Sequence, residues 1–306
     1  MQSSTSFVYR SAVAAGLVAV VACSSDNSPT TPVLPTAYAE TKLVADDASL
    51  GATTVDANLV NPWGIAFSSG GTMWVSDNGT SLSTLYDGTG AKLQLVVGIP
   101  QAGGSPGGKP TGQVFNSTSD FLINGGNKAL FIFAGEDGTI SAWNQAAGTN
   151  AVIVADRSTN GAVYKGIGMA SNGGANFLYA TNFKGNSIDI FDKNFAYVSS
   201  FTDTSVPSGY GPFGIHTING QLFVTFAKQK APDNEDDQAG VGNGFVDIFD
   251  AAGTLVKRFE SNGRLNSPLA VVAAPSDFGS AGGNILIGNF GDGLIGAYDA
   301  TSGAFK

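Results

Sequence analysis

The sequence has one cysteine, one histidine and few basic residues, and each scarcity excludes a class of protein. A single cysteine excludes an intrachain disulfide framework. A single histidine excludes a zinc site built from several histidines. Lysine and arginine number 15 against 24 acidic residues and form no basic cluster, so a nucleic-acid partner is not expected. The acidic balance favours solubility and can attract cations.

Charged residues make up only 13% of the chain, whereas 42 of the 306 residues are glycine. Long helices are usually rich in Glu, Lys and Arg, so this composition instead favours many short strands joined by tight turns. No strand-to-helix turn of the kind that holds a Gly-x-Ser-x-Gly nucleophile elbow is expected, and no phosphate-binding motif is present. The glycine-rich run at residues 103–108 lacks a strand-to-helix context and is predicted to be a loop.

The apolar run at residues 11–22 is shorter than the ~20 residues that a membrane-spanning helix needs. It follows Arg10 and ends in Val-Val-Ala before Cys23, which resembles the lipobox of bacterial lipoproteins. We therefore expect a signal peptide at residues 1–22 and a lipid anchor on Cys23. An ordinary signal peptide with a chance cysteine is the alternative.

Residues 23–39 are polar and proline-rich, which predicts a flexible tether to the membrane. The expected location is outside the cytoplasm, as a cell-envelope lipoprotein at the outer membrane or cell surface. A monomer is expected, and a protein or glycan partner fits this location.

Internal repeats dominate the rest of the sequence. An apolar strand recurs at Met73–Asn78, Leu130–Gly135, Leu178–Asn182, Leu222–Ala227 and Ile285–Asn289. A second strand follows each copy and ends in an aromatic residue and Asp or Asn, at Ser83–Asp87, Ile140–Asn144, Ile188–Asp192, Val246–Asp250 and Leu294–Asp299. Each aromatic residue is predicted to be core, and each Asp is predicted to cap a turn.

A third strand precedes each pair, at Pro62–Phe67, Ser119–Ile123, Gly166–Ala170, Pro212–His216 and Pro268–Val272. A fourth strand follows some pairs, for example at Lys92–Val97, Ala151–Ala155 and Leu255–Phe259. Four short strands with a period of about 50 residues predict the blades of an all-β propeller. Residues 40–306 form this domain.

Five full units are visible, and Glu40–Asp46 has the pattern of one more strand ahead of them. Because the two termini of a propeller usually share the closing blade, six blades are expected. The last blade would then be incomplete, and the domain truncated at its C-terminus.

The segments Pro62–Phe67 and Met73–Asn78 together resemble an NHL-type propeller repeat. A wider set of segments resembles an uncharacterised bacterial family of secreted propellers, namely Asn61–Gly64, Tyr164–Gly166, Gly211–Gly214, residues 227–229 with 236–240, Gly242–Asp250 and Gly288–Gly293. The resemblance covers residues 40–306. It implies the propeller fold and export, and it brings no established activity.

Polar residues end the repeated strands and are expected to converge at one mouth of the central channel. They are Asp77, Asn78, Glu136, Asp137, Asn182, Lys228 and Asn289. Oxygen ligands of this kind suit Ca²⁺, and gluconolactonase-type propellers hold a metal in their channels with similar residues. Lys228 would oppose a cation. The alternative interpretation is that Asp and Asn only cap turns.

His216 is the candidate catalytic residue, because it ends an inner strand and virginiamycin lyase, another propeller, uses a histidine base. An acidic loop carries Asp233, Glu235, Asp236 and Asp237 without the glycine and terminal Glu of an EF-hand. It is a candidate surface site for Ca²⁺ or a solvated loop.

The first functional hypothesis is an envelope-anchored binding or scaffold module. The alternative is a metal-dependent hydrolase or lyase of lactonase type.

Overall fold

The computed structural model describes residues 37–306. The predicted signal peptide, the lipid anchor on Cys23 and residues 23–36 of the tether lie outside this range, and all three stay predictions. Residues 37–39 of the tether are irregular and exposed. No helix in residues 37–306 is long and apolar enough to cross a bilayer.

Short strands and tight turns make up the described chain. A two-stranded parallel sheet of β1 (Val44–Ala45) and β2 (Thr54–Val55) comes first. The first blade then contains β3 (Pro62–Phe67), β4 (Met73–Asp77), β5 (Leu82–Tyr86) and β6 (Lys92–Gly98). The second contains β7 (Pro110–Phe115), β10 (Phe131–Gly135), β11 (Thr139–Trp143) and β12 (Val152–Asp156), with the small hairpin of β8 (Leu122–Ile123) and β9 (Asn127–Lys128) inserted after β7.

The remaining sheets follow in chain order. The third blade contains β13 (Tyr164–Asn172), β14 (Ala175–Asn182), β15 (Ser187–Phe191) and β16 (Tyr197–Phe201). The fourth contains β17 (Tyr210–Ile218), β18 (Gln221–Lys228), β19 (Gly244–Phe249) and β20 (Leu255–Ser261). The fifth contains β21 (Pro268–Ala273), β22 (Ile285–Asn289) and β23 (Ile295–Tyr298). Short 3₁₀ turns lie at Ala48–Leu50, Gln145–Ala147, Ser158–Asn160 and Gly279–Ala281.

The all-β propeller with four-stranded antiparallel blades is confirmed, but the expected number of blades was wrong. Residues 37–306 form five blades, of which the fifth has three strands. The segment Glu40–Asp46 was expected to join a sixth blade. Only Val44–Ala45 of it is a strand, and it pairs in parallel with β2 instead.

The inner strand of the second blade was also misplaced by the sequence analysis. It is β7 at Pro110–Phe115, and the expected segment Ser119–Ile123 contributes only to the small hairpin of β8 and β9. The other four inner strands lie where the repeat predicted them.

The predicted core aromatics are all buried, at most 4% exposed, and they are Tyr86, Trp143, Phe191, Phe249 and Tyr298. The Asp residues after four of them cap turns as predicted. The Asp87 carboxylate, for example, accepts hydrogen bonds from the backbone amides of Thr89 and Ala91. Gly90 closes the same turn at a φ of 83°, which an L-residue rarely adopts.

The five inner strands surround a channel, and a glycine stands where each of the first four approaches the next. A methyl group on Gly64 would lie 2.5 Å from the Thr111 carbonyl oxygen, and one on Gly112 would lie 2.6 Å from the Ile167 nitrogen. One on Gly214 would overlap the Leu269 carbonyl oxygen. The inner strands therefore pack backbone against backbone.

Side-chain contacts close the circle between the fifth and first blades, where β21 and β3 do not pack in this way. Trp63 contacts Phe290 with ring centroids 4.8 Å apart. Tyr38 stacks at 5.0 Å on Phe278 of the connection between β21 and β22, and its hydroxyl accepts a hydrogen bond from the Ala281 amide. The segment that precedes the first blade thus reaches the fifth.

Substitution of Gly214 by Ala is expected to destabilise the fold by about 1–3 kcal/mol or more, because the new methyl group cannot be accommodated without moving β21. Gly168→Ala is the matched control on a neighbouring inner strand, since its methyl group would meet only atoms of Ile215, at the ordinary contact distances of 3.4 Å and beyond. Urea unfolding measures both variants. Equal loss of stability would contradict the proposed role of Gly214.

Candidate functional site: the central channel

A cavity of about 450 Å³ lies in the channel, lined by the inner strands of all five described blades. Where these strands begin, Trp63 and Lys165 form the wall. Where they end, the wall consists of Phe67, Phe115 and Met169 with Thr217. The walls therefore combine apolar and aromatic side chains with several polar ones.

Hydrogen bonds between adjacent blades hold these walls in place. Gln113 Nε2 donates to the Gly64 carbonyl at 2.8 Å, and Thr111 Oγ1 donates to the Tyr164 carbonyl at 2.8 Å. The wall side chains therefore sit on a hydrogen-bonded backbone, which favours a preformed site.

Lys165 lies at one mouth of the channel with its side chain only 1% exposed. Its ammonium group forms an ion pair with Glu136 and a longer contact of 3.4 Å with Asp236. It also lies 4.9 Å from the centre of the Trp63 ring. Asn78 donates to the other Glu136 oxygen at 2.9 Å. The ammonium charge is neutralised within the protein.

The structure brings together some of the predicted ring of polar strand ends. Asn78 and Glu136 are in contact, and Asp236 of the acidic loop joins them through Lys165. Lys165 and Trp63 were not among the predicted site residues. Both are the middle residue of the three that begin an inner strand, as in Pro62-Trp63-Gly64, and this repeated position could have revealed them.

Three of the other predicted ring residues hydrogen-bond to backbone groups around them. Asn182 Oδ1 accepts from the Val163 and Gly185 amides. The side chain of Asn289 bonds the Asn266 amide and the Arg264 carbonyl. Asp137 accepts from the amides of Thr139 and Ala102. These contacts match the alternative interpretation of the ring as turn caps.

Asp77 is buried within the first blade, and neither carboxylate oxygen has a hydrogen-bond partner among the described residues. Burial raises the pKa of Asp77 to about 7. Because Asp77 is fully buried, its carboxyl is not exposed at the channel mouth.

The acidic loop folds over the third blade. Glu235 pairs with Lys184 at 2.7 Å, and Asp237 forms an isolated antiparallel bridge with Gln229. Asp233 is exposed. Among residues 37–306, no three His, Cys, Asp or Glu side chains lie close enough together to hold a metal ion. Ca²⁺ binding stays a prediction.

His216 lines the cavity on β17, and its Nε2 lies 3.1 Å from the Leu269 carbonyl oxygen of the fifth blade. Burial lowers the pKa of His216, and the bond to Leu269 opposes this only in part. The ring is therefore neutral at pH 7. No carboxylate of the described chain hydrogen-bonds to it, so it has no matched acid.

The inner-strand channel and the four-stranded blades define the chain as a β-propeller. No family model matches the chain. A solved structure with this fold is a catalytically inactive variant of virginiamycin B lyase from Staphylococcus aureus with quinupristin. It aligns with a TM-score of 0.53 at 16% identity, over 81% of this chain and 69% of that one. At this identity the likeness shows the fold alone.

Two proteins of Acanthamoeba polyphaga mimivirus are closer in sequence. Uncharacterized protein R648 is 33% identical over 267 residues, which is 84% of this chain and 66% of R648. Uncharacterized protein L690 is 33% identical over 256 residues, which is 80% of this chain and 67% of L690. The chain belongs to the same family as L690. It spans about two thirds of the length of either relative.

These relatives correct one expectation of the sequence analysis. A bacterial family was expected, but the relatives found are viral. The fold implied by the resemblance is confirmed, whereas the lipoprotein and cell-envelope assignments receive no support from them.

Loss of the Glu136 charge is expected to destabilise the fold, because it leaves the buried Lys165 ammonium with only a long contact. We expect Glu136→Gln to cost about 1–3 kcal/mol. Asp236→Asn is the control, since that side chain is 73% exposed, and it should cost about 0.5 kcal/mol or less. Urea unfolding at low salt compares them. A similar loss of stability in both variants would contradict the conclusion that Glu136 stabilises Lys165 more than Asp236 does.

Asp77 should make the protein less stable as the pH rises. The pKa of its carboxyl is about 7 in the folded protein and has its ordinary value of 3.8 in the unfolded chain, so the folded state binds the proton more tightly. Stability is therefore full near pH 4 and falls up to about pH 7. The variant Asp77→Asn should flatten this part of the profile. Thermal unfolding from pH 4 to pH 8 tests this, and parallel profiles for the two proteins would refute it.

Proposed function

We propose that this propeller is a binding module that takes a small molecule into its central channel. The cavity of about 450 Å³ carries the proposal. Its size and its mixture of aromatic walls with a few polar groups are those of ordinary ligand sites. Its walls rest on hydrogen-bonded inner strands, which supports a preformed site.

The polar groups around the channel are engaged in contacts within the protein, which also favours a binding module over a metal-dependent hydrolase. Asn182, Asn289 and Asp137 are engaged with backbone groups, and Glu136 is engaged with Lys165. A metal-dependent hydrolase needs free oxygen ligands, and these residues offer few. A scaffold role for the outer surface is compatible with ligand binding in the channel.

A library of neutral and charged small molecules, screened by thermal shift on the full chain, tests the proposal. The variant Ala270→Phe should abolish the shifts, because Ala270 is an exposed residue of the cavity wall and the larger side chain fills the space. Ala252→Phe, at an exposed turn of the outer rim, is the matched control and should leave them unchanged. Shifts that survive Ala270→Phe would place binding elsewhere.

A second candidate is a lyase, and the position of His216 in the cavity wall favours it. A neutral imidazole can accept a proton from a bound substrate. The similar structure of virginiamycin B lyase is an inactive His-to-Ala variant with quinupristin. Chromatography of quinupristin after incubation with the chain decides: conversion that His216→Ala abolishes favours a lyase, and unchanged quinupristin leaves the binding module.

A further inference from the structure

The cavity presents no free charge. Lys165 and His216 are the titratable residues among the described residues of its wall. The Lys165 ammonium is paired with Glu136 and almost fully buried, and burial keeps the His216 ring neutral. An ionic ligand would lose its hydration without gaining a counter-charge, which is costly. The cavity therefore favours neutral molecules.

Two polar atoms of the wall are beyond the reach of a ligand. Trp63 Nε1 and Gln113 Oε1 have no hydrogen-bond partner among the described residues, but both atoms are sealed from water. A molecule in the cavity contacts neither without a rearrangement of the wall. Any recognition by side-chain hydrogen bonds must come from other atoms.

His216 and Thr217 supply those atoms, and the polar hydrogen of each side chain already takes part in a hydrogen bond within the protein. Thr217 Oγ1 donates to the Met169 carbonyl at 2.8 Å. His216 Nε2 faces the Leu269 carbonyl, which can only accept, so the ring hydrogen must be on Nε2. In the neutral ring, Nδ1 is then a bare acceptor. It has no partner among the described residues and is not one of the sealed atoms.

We propose that the channel binds neutral, mainly apolar molecules that carry a hydrogen-bond donor, and that His216 Nδ1 accepts the hydrogen bond. This inference rests on the proposed function and adds the chemical class of the ligand. Phe67, Phe115 and Met169 supply the apolar surface. An aromatic alcohol or an aromatic N–H compound has the required chemistry.

Calorimetric titrations of the full chain at pH 7.5 with three naphthalene probes test the effects of a hydrogen-bond donor and of a negative charge on binding. We expect 2-naphthol to bind with one-to-one stoichiometry. Its methyl ether has the same ring system without the donor and should bind about 3- to 10-fold more weakly, the usual worth of one hydrogen bond. The 2-naphthoate anion should give no saturable heat.

Variants then locate the acceptor. His216→Phe keeps an aromatic ring but lacks Nδ1, so it should bind 2-naphthol and its methyl ether equally. Thr254→Val, an exposed threonine of an outer turn, is the control and should keep the preference for 2-naphthol. The comparison of probes on the unaltered protein needs no variant, so the test holds even where His216→Phe does not fold.

The outcomes distinguish the two levels of the proposal. Equal affinity of 2-naphthol and its methyl ether on the unaltered protein overturns the inference and leaves channel binding intact. Tighter binding of 2-naphthoate overturns it as well, because Lys165 would then be available to an anion. Absence of binding by all three probes overturns the inference, and the library screen with Ala270→Phe judges the proposed function separately.

Discussion

Backbone contact between neighbouring inner strands is the constraint on which the rest of the molecule depends. Four strands meet the next one at Gly64, Gly112, Gly166 and Gly214, where even a methyl group would collide with the facing chain. This close approach sets the width of the channel. Trp63 and Lys165, the residues before Gly64 and Gly166, line the cavity where their strands begin.

The second organising interaction is the pairing of Lys165 with acidic groups. A buried ammonium needs a counter-charge, and Glu136 supplies it with support from Asn78. This pairing uses the oxygen ligands that a cation site at the mouth would need. It also removes the free positive charge from the channel, so the cavity behind it is polar only through neutral groups.

Hydrogen bonds between blades give the cavity its chemical character. The Leu269 carbonyl of the fifth blade orients the His216 ring of the fourth, and the Met169 carbonyl of the third blade takes the hydrogen of Thr217. The bonds that hold adjacent inner strands together thus leave acceptors open to the channel. The packing of the blades and the proposed preference for a donor-bearing ligand share one cause.

The sequence alone determined the propeller class, the four-stranded blades and the buried aromatics, because these depend on patterns within single repeats. Asp87 and the other turn-capping acids were predictable for the same reason, since their partners are a few residues away. The repeat also placed four of the five inner strands correctly. It misplaced the strand of the second blade, where an inserted hairpin displaced the apolar pattern.

Only the tertiary structure decided the number of blades and the chemistry of the channel. The segment Glu40–Asp46 had the pattern of a strand, but pairing with β2 rather than with the last blade depends on distant partners. The roles of Lys165 and His216 depend on Glu136 and Leu269 of adjacent blades. Such contacts join residues far apart in the chain, and no local pattern of the sequence specifies them.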